Sequence, residues 1–406
     1  MVLDYDIVIA GGGMIGASLA CALSGTSLRV CVIEAVPFSS DDQPSYDDRG
    51  ISLAPSTQRI LEGLSIWKSI VHDTQPIRTI HVSDQHHFGF VRMTAKSMRV
   101  SALGYVVIAR TLGKILLERM ADCGNITLLS PARVEEVGFN DEAADVRISQ
   151  GDENKRLKCK LLIAADGAHS QVRRMTGIRT ETTDYGQTAI VANITPQLSH
   201  NDTAFERFTK TGPLALLPLR RQQCVLVFTV TSDETDKFIN IDDKAFLANV
   251  ESRFGRRLGR LQRIGTRTSY PITLIKAAEQ VRHRLILLGN AAHTIHPNTA
   301  QGFNLGLRDV AGLAEILTQC NREYRDPGKL GSLNDYIALR EQDQQRVLYF
   351  TDSLTRTFYN DHPVASLLRN SGMMLTDLVP AMKHRLALKS MGLWGKQPRL
   401  VRGVPL

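Results

Sequence analysis

Asp6-Ile7-Val8-Ile9-Ala10-Gly11-Gly12-Gly13-Met14-Ile15-Gly16 decides the fold. An apolar run of strand length meets three glycines, and Met14–Ser24 then carries small and apolar residues at helical spacing. Leu28–Ile33 is β-rich and ends at Glu34. In this strand–turn–helix–strand unit Gly11 permits the tight turn and Gly13 lets the backbone approach a pyrophosphate. Gly16 lets the helix pack closely on the sheet, and the helix start supplies free N–H groups and positive dipole. Glu34 falls 18 residues after Gly16, where a carboxylate accepts from ribose hydroxyls. A glycine triplet alone is a weak signal and could be a packing turn. With the strand, helix and acidic terminus it predicts an adenine dinucleotide, NAD or FAD.

The rest of the 406 residues is ordinary globular sequence: 43% hydrophobic, 22% charged, 30 Gly and 15 Pro. These values exclude disordered, collagen-like and coiled-coil chains, and the length predicts two to three domains at about 150 residues each. A net charge of +8 is too small to argue for nucleic acid, and none is expected as a partner. The six cysteines form no C-x-x-C pair and most sit in apolar runs, so buried free thiols in a reducing compartment are expected. Ile7–Leu23 is almost uncharged, but Asp4 and Asp6 precede it where a signal peptide would be basic. No other stretch reaches about 18 apolar residues. The expectation is a cytoplasmic protein, at most peripheral on the inner face of a membrane.

Along the chain, a polar connection covers Ser39–Gly50, a helix Thr111–Cys123, and strands Ile126–Leu129 and Arg133–Val137. Asp145–Ser149 and Leu157–Ala165 read as a hairpin-like pair. Short strands then dominate (Thr188–Ile194, Leu214–Pro218, Cys224–Thr231), with one helix, Asp242–Phe254. Arg284–Leu288 returns as a buried strand before helices over Asn304–Gln319 and Leu333–Asn360 and a less regular tail. The pattern predicts an α/β protein: a Rossmann-like dinucleotide domain, an interleaved antiparallel-sheet substrate domain and a helical C-terminal region. The expected boundaries assign 1–75, 101–180 and 279–330 to the first domain and 76–100 and 181–278 to the second. Residues 331–406 form the helical region with its basic tail.

Two further turns bear on which dinucleotide is bound. Leu161–Ala165 runs into Asp166-Gly167-Ala168-His169-Ser170-Gln171-Val172-Arg173, which by itself could be a hairpin end. Leu285–Leu288 runs into Gly289-Asn290-Ala291-Ala292-His293, followed by His296-Pro297 and Gln301-Gly302-Phe303-Asn304-Leu305-Gly306. A helix start there stabilises negative charge on a ring or a phosphate.

These three turns, in this order, resemble the single-component FAD-dependent aromatic hydroxylases over nearly the whole chain. Gly289-Asn290 with His-Pro and Gln-Gly-Phe-Asn-Leu-Gly after it looks like the ubiquinone-biosynthesis branch. Ala204-Phe205-Glu206-Arg207-Phe208-Thr209 and Gly212–Pro218 strengthen that likeness. The resemblance implies FAD held by Gly11, Gly13, Gly16, Glu34, Arg49, Arg110, Val134, Asp166, Gly289, Asn290, Gly302, Phe303 and Asn304. Pro297, Gly302 and Phe303 would border the reacting face. It implies NADPH or NADH as reductant, O2 as co-substrate, and hydroxylation of a polyprenyl phenol through a flavin hydroperoxide. Most of the family has Asp where this chain has Asn290, so an acceptor oxygen is kept and a charge is lost.

Other constellations read more plainly. His293/His296 and His86/His87 lack companion ligands at metal spacing, and no nucleophile turn of a hydrolase is present. The arginines at 253, 256, 257, 260, 263 and 267 read as a solvated helix end and loop, with a docking patch as the alternative. Phe205, Phe208, Phe228 and Tyr270 are pocket candidates or plain core. Between Ala365 and Leu406 seven basic residues face one acid, Asp377, among many apolar side chains. That suits peripheral membrane contact, docking to partners in a ubiquinone-biosynthesis complex, or a helix packed on the flavin domain. Rival functions are hydroxylation of another phenol and a non-catalytic flavin-containing subunit.

Overall fold

The computed structural model describes residues 2–38, 47–359 and 362–406. Residues 39–46 of the polar connection and Asn360 at the expected helix end lie outside them. The Tyr5–Ala10 strand is central in the first sheet, parallel to Val30–Ile33 on one side and to Glu153–Ala164 on the other. Ile126–Leu129 extends one edge and Leu285–Leu287 the other, both parallel. These runs are apolar at successive positions because both faces are covered: Ile7, Val8 and Ile9 are all fully buried. The Gly302–Arg322 helix covers one face beside the Met14–Ala22 helix, and Arg133–Phe139 with Ala144–Gln150 forms an antiparallel flap on the long central strand.

The second sheet has nine strands and lies against a three-stranded sheet formed by Gly50–Leu53, Gly104–Ile108 and Gln75–Ile77. It is mostly antiparallel, with one departure: Thr203–Thr209 runs parallel to Thr79–Asp84. Over a hundred residues separate these strands, so no hairpin dictates their direction. Thr180–Pro196 is much longer than expected and continues through a bulge at Asp184–Gln187, where Gly186 takes φ +63°.

The tail is regular, not irregular. Pro363–Leu378 and Pro380–Ser390 are helices, each opened by a proline whose missing N–H costs nothing in the first turn. They pack on Val91 and Met93 through Met373, Ala387 and Met391. Arg369 is buried and donates to Asp84 Oδ2 from Nε (2.9 Å) and Nη2 (2.7 Å). The six cysteines are free and buried.

Candidate active site

The three glycine-bearing turns meet at one end of the first sheet, and the glycines show how. A Cβ on Gly11 would lie 2.5 Å from the Ala165 carbonyl, so the first turn touches the second. One on Gly16 would lie 1.9 Å from the Gly11 carbonyl, and one on Gly306 would lie 2.7 Å from Ile15 Cδ1. The third turn therefore rests on the first. Arg173 ties the remaining pair, donating to the carbonyls of Ala168 and Ala291 at 2.7 Å each.

Polar capacity left at this junction suits a dinucleotide. The Met14–Ala22 helix starts with no side-chain cap and no acid in its first turn, leaving its N–H groups and positive end for an anion. Glu34 is buried; its Oε2 accepts from Gly12 N (2.7 Å) and its Oε1 from Val36 N (2.9 Å). Each oxygen keeps a lone pair for a ribose hydroxyl. Asp166 Oδ2 accepts from Gln171 N and Val172 N, while its Oδ1 is buried with no partner among the described residues. Val134 is a buried strand residue, and Ala132 N, two residues earlier, donates to the Glu34 carbonyl at 2.8 Å.

On the third turn, Gly289 takes φ +59° and Asn290 is exposed beyond it. The Gly302–Arg322 helix also starts without a side-chain cap or acid. A Cβ on Gly302 would meet nothing closer than Ile295 Cγ1 at 3.8 Å, so no protein contact demands glycine there. Buried Oγ1 of Thr299 and Oε1 of Gln301 have no partner among the described residues, while Pro297 opens this loop and Phe303 is partly buried against the main core. These features fit FAD.

Three expected contacts are engaged within the protein. Asn304 Oδ1 accepts from Ala54 N and Thr57 Oγ1 at 2.7 Å each, and its Nδ2 donates to the carbonyls of Ser52 and Ala300. Its polar capacity is used in clipping the loop to its neighbours. Arg49 pairs with Asp47 at 2.5 Å and stacks over Tyr270, and Arg110 pairs with Asp48 at 3.1 Å.

Sequence reasoning missed the support behind the loop. His293 bonds Asp309 at 2.9 Å, Asp309 accepts from Arg340 at 2.8 Å, and Asp343 joins Arg340 to Arg308. Burial raises the Asp309 carboxyl, but Arg340 and the His293 bond outweigh it and hold it down at about 2. Burial takes His296 down to about 4, so it is neutral and accepts from Asn298 N. The aromatic candidates divide. Phe205 and Phe228 belong to the outer core, Phe208 stacks on Phe358 at 3.5 Å, and Tyr270 lies under Arg49. Part of the arginine run is packed: Arg253 covers the Phe228 and Phe238 rings and Arg257 reaches His81.

The sequence matches the FAD binding domain family over residues 4–351, and the chain belongs to that family. It is 37% identical to Ubiquinone hydroxylase UbiL of Rhodospirillum rubrum over 404 residues, covering 99% of this chain and 93% of the relative. It is 29% identical to 3-demethoxyubiquinol 3-hydroxylase of Escherichia coli K12, covering 96% and 98%. The crystal structure of p-nitrophenol 4-monooxygenase PnpA from Pseudomonas putida DLL-E4 superposes with a TM-score of 0.82 over 98% of this chain and all of that one. Identity there is 19%, so that match speaks to fold. The protein is an FAD-dependent aromatic-ring monooxygenase.

Proposed function

We propose that the protein hydroxylates a polyprenylated phenol in ubiquinone biosynthesis, with NADH or NADPH as reductant. Full-length similarity to two ubiquinone-pathway hydroxylases carries this reading. Within that branch the sequence resembles the 2-octaprenyl-6-methoxyphenol hydroxylases. FAD, when bound, would supply the redox chemistry that couples the nicotinamide and O2 to hydroxylation of the ring. The first and second turns hold its nucleotide half through Gly13, Glu34 and Asp166. The third turn holds the reacting half, with the uncapped helix start at Gly302 stabilising negative charge on the reduced ring. A small cavity of about 70 Å³ lies under this loop, lined by Ile80, Met93, Thr299, Gln301 and Met391. Ile80, Met93 and Met391 give it one apolar side, and Thr299 and Gln301 a polar one.

Quinone profiling of a deletion strain tests the proposal. A prenylated phenol lacking one ring oxygen should accumulate and clear on complementation. Unchanged quinone content would overturn it, and a purified flavoprotein showing no phenol-stimulated NAD(P)H oxidation would favour the non-catalytic alternative.

A prenylated substrate resides in lipid, and we infer that the protein collects it from a membrane surface. None of the described helices is long and apolar enough to cross a membrane. Val364, Leu367, Leu368, Leu375 and Leu378 are all more than half exposed. At 100° per residue they fall in one stripe about 100° wide on the Pro363–Leu378 helix. Exposed Phe88 and Phe90 lie on the hairpin that packs against this helix, whose Asn370 accepts from Gly89 N. Of the seven tail cations, Arg369 is spent inside on Asp84 and Lys383 pairs with Asp377. Arg385, Lys389, Lys396 and Arg402 remain exposed to meet anionic lipid. Deleting the tail would strip Met373, Leu400 and Val401 from the cores, so surface substitution is the cleaner test. Leu367→Ser with Leu375→Ser and Leu378→Ser should abolish co-sedimentation with phosphatidylglycerol vesicles at low salt while sparing turnover of a short phenol. Retained vesicle binding would exclude this helix as the contact.

A further inference from the structure

We propose that Glu206 is the hydrogen-bonding partner of the substrate's ring oxygen and so determines how the ring lies beneath the flavin loop. The inference rests on the phenol reading above and adds the protein group that recognises the phenol.

Strand alternation places the residue. Ala204, Glu206 and Phe208 share one face of the Thr203–Thr209 strand, and Phe205 and Arg207 share the other. Ala204 belongs to the cluster with Ile77 and Val106, so its face looks toward the flavin domain, whereas Phe205 packs on Phe254 of the outer helix. In register with Glu206 are Val82 on one neighbouring strand and Ala215 on the other. Neither side chain donates a hydrogen bond. Glu206 Oε1 is sealed from solvent and has no partner among the described residues.

The same register sets Ala204 beside Ile80, which lines the cavity under the third turn together with Thr299 and Gln301. Glu206 is therefore one strand over and one step along from that cavity wall. Gln301 Oε1, on the loop side, is also buried without a partner among the described residues.

A buried carboxyl oxygen left without a hydrogen bond costs free energy, and none of the described residues recovers that cost. A ligand that completes its hydrogen bonds does. Burial alone pushes the Glu206 carboxyl up to about 8, so at neutral pH it is largely protonated and both donates and accepts. The surrounding ionisable groups are engaged elsewhere. Asp84 on the adjoining strand is bonded to Arg369 of the Pro363–Leu378 helix. On the Leu330–Tyr359 helix Asp352 accepts from Tyr185 and Arg356, and His296 of the loop is neutral.

The test uses FAD-loaded protein and 2-allylphenol, with binding read from the perturbed flavin absorbance and stability from thermal unfolding. Glu206→Leu should unfold at the same temperature as wild type or higher, yet raise the Kd for 2-allylphenol about tenfold or more. Glu206→Gln keeps a donor and an acceptor and should bind within a few-fold of wild type. The wild-type Kd should change with pH about a midpoint near 8, and that dependence should vanish in Glu206→Gln. Wild-type binding that survives Glu206→Leu unchanged overturns the inference alone, as does a purely structural signature of lowered stability with unaltered Kd in both variants. Wild type that shows no response to 2-allylphenol overturns the phenol reading and this inference with it.

Discussion

Gly13→Val should yield a folded, colourless protein. Gly13 has φ −62° and ψ 179°, an extended conformation that valine adopts freely, and it precedes a helix with no side-chain cap to lose. The backbone therefore has no need of glycine at this position. The branched methyl groups would instead occupy the approach of the pyrophosphate to the helix start. Purified variant should carry almost no flavin while its far-UV circular dichroism matches that of wild type. Flavin at the wild-type ratio would refute the assignment. Gly16 gives the contrast: its Cβ would lie 1.9 Å from the Gly11 carbonyl, so substitution there should damage the turn itself.

Arg340→Met should cost about 3–5 kcal/mol of stability, the range for removing one partner from a buried ion pair. Arg340 is fully buried and bonds Asp309 and Asp343; methionine would leave Asp309 without its main counter-charge and Asp343 with Arg308 alone. Urea unfolding should shift to markedly lower denaturant, and FAD affinity should fall too, because Asp309 also holds His293 of the third turn. An unchanged midpoint would show that the network is dispensable. The pH dependence has a definite sign. Asp309 is held at about 2, below an unfolded value near 3.9, so its contribution is full above pH about 4 and disappears as pH falls through 2.

The flavin site was legible in sequence where one backbone feature dictates one residue type. Gly11, Gly16 and Gly289 each satisfy a close contact or a positive φ that other residues fail, so their spacing announces the turns. Polar side chains were less legible, because one residue type serves several ends. Asn304 sits where the family contacts flavin, yet its amide is taken up by Ser52, Ala54, Thr57 and Ala300, partners that only the fold brings near. Arg369 counts as a surface cation in composition, but Asp84, 285 residues away, draws it inside. The tail helices were signalled after all, by Pro363 and Pro380 at first helical positions, a cue masked by the scattered charges around them. The parallel pairing of Thr203–Thr209 with Thr79–Asp84 has no local signature, since strand direction across a long separation is settled by packing.

The junction of the three turns also constrains when the protein can acquire its cofactor during synthesis. Gly13 emerges from the ribosome almost at once, Asp166 before the middle, and Gly302 only when almost three quarters of the chain has been made. Tyr5–Ala10, the strand that presents the first turn, stays unpaired on one side until Glu153–Ala164 arrives. The polypeptide therefore spends most of its translation with an incomplete nucleotide site, and the first part of it with an exposed apolar first strand. The third turn follows Leu285–Leu287, the last strand of the first sheet, so a complete flavin site requires that strand to have been made. Cells short of flavin would accumulate a nearly finished chain whose three turns have met without the ligand that occupies their junction.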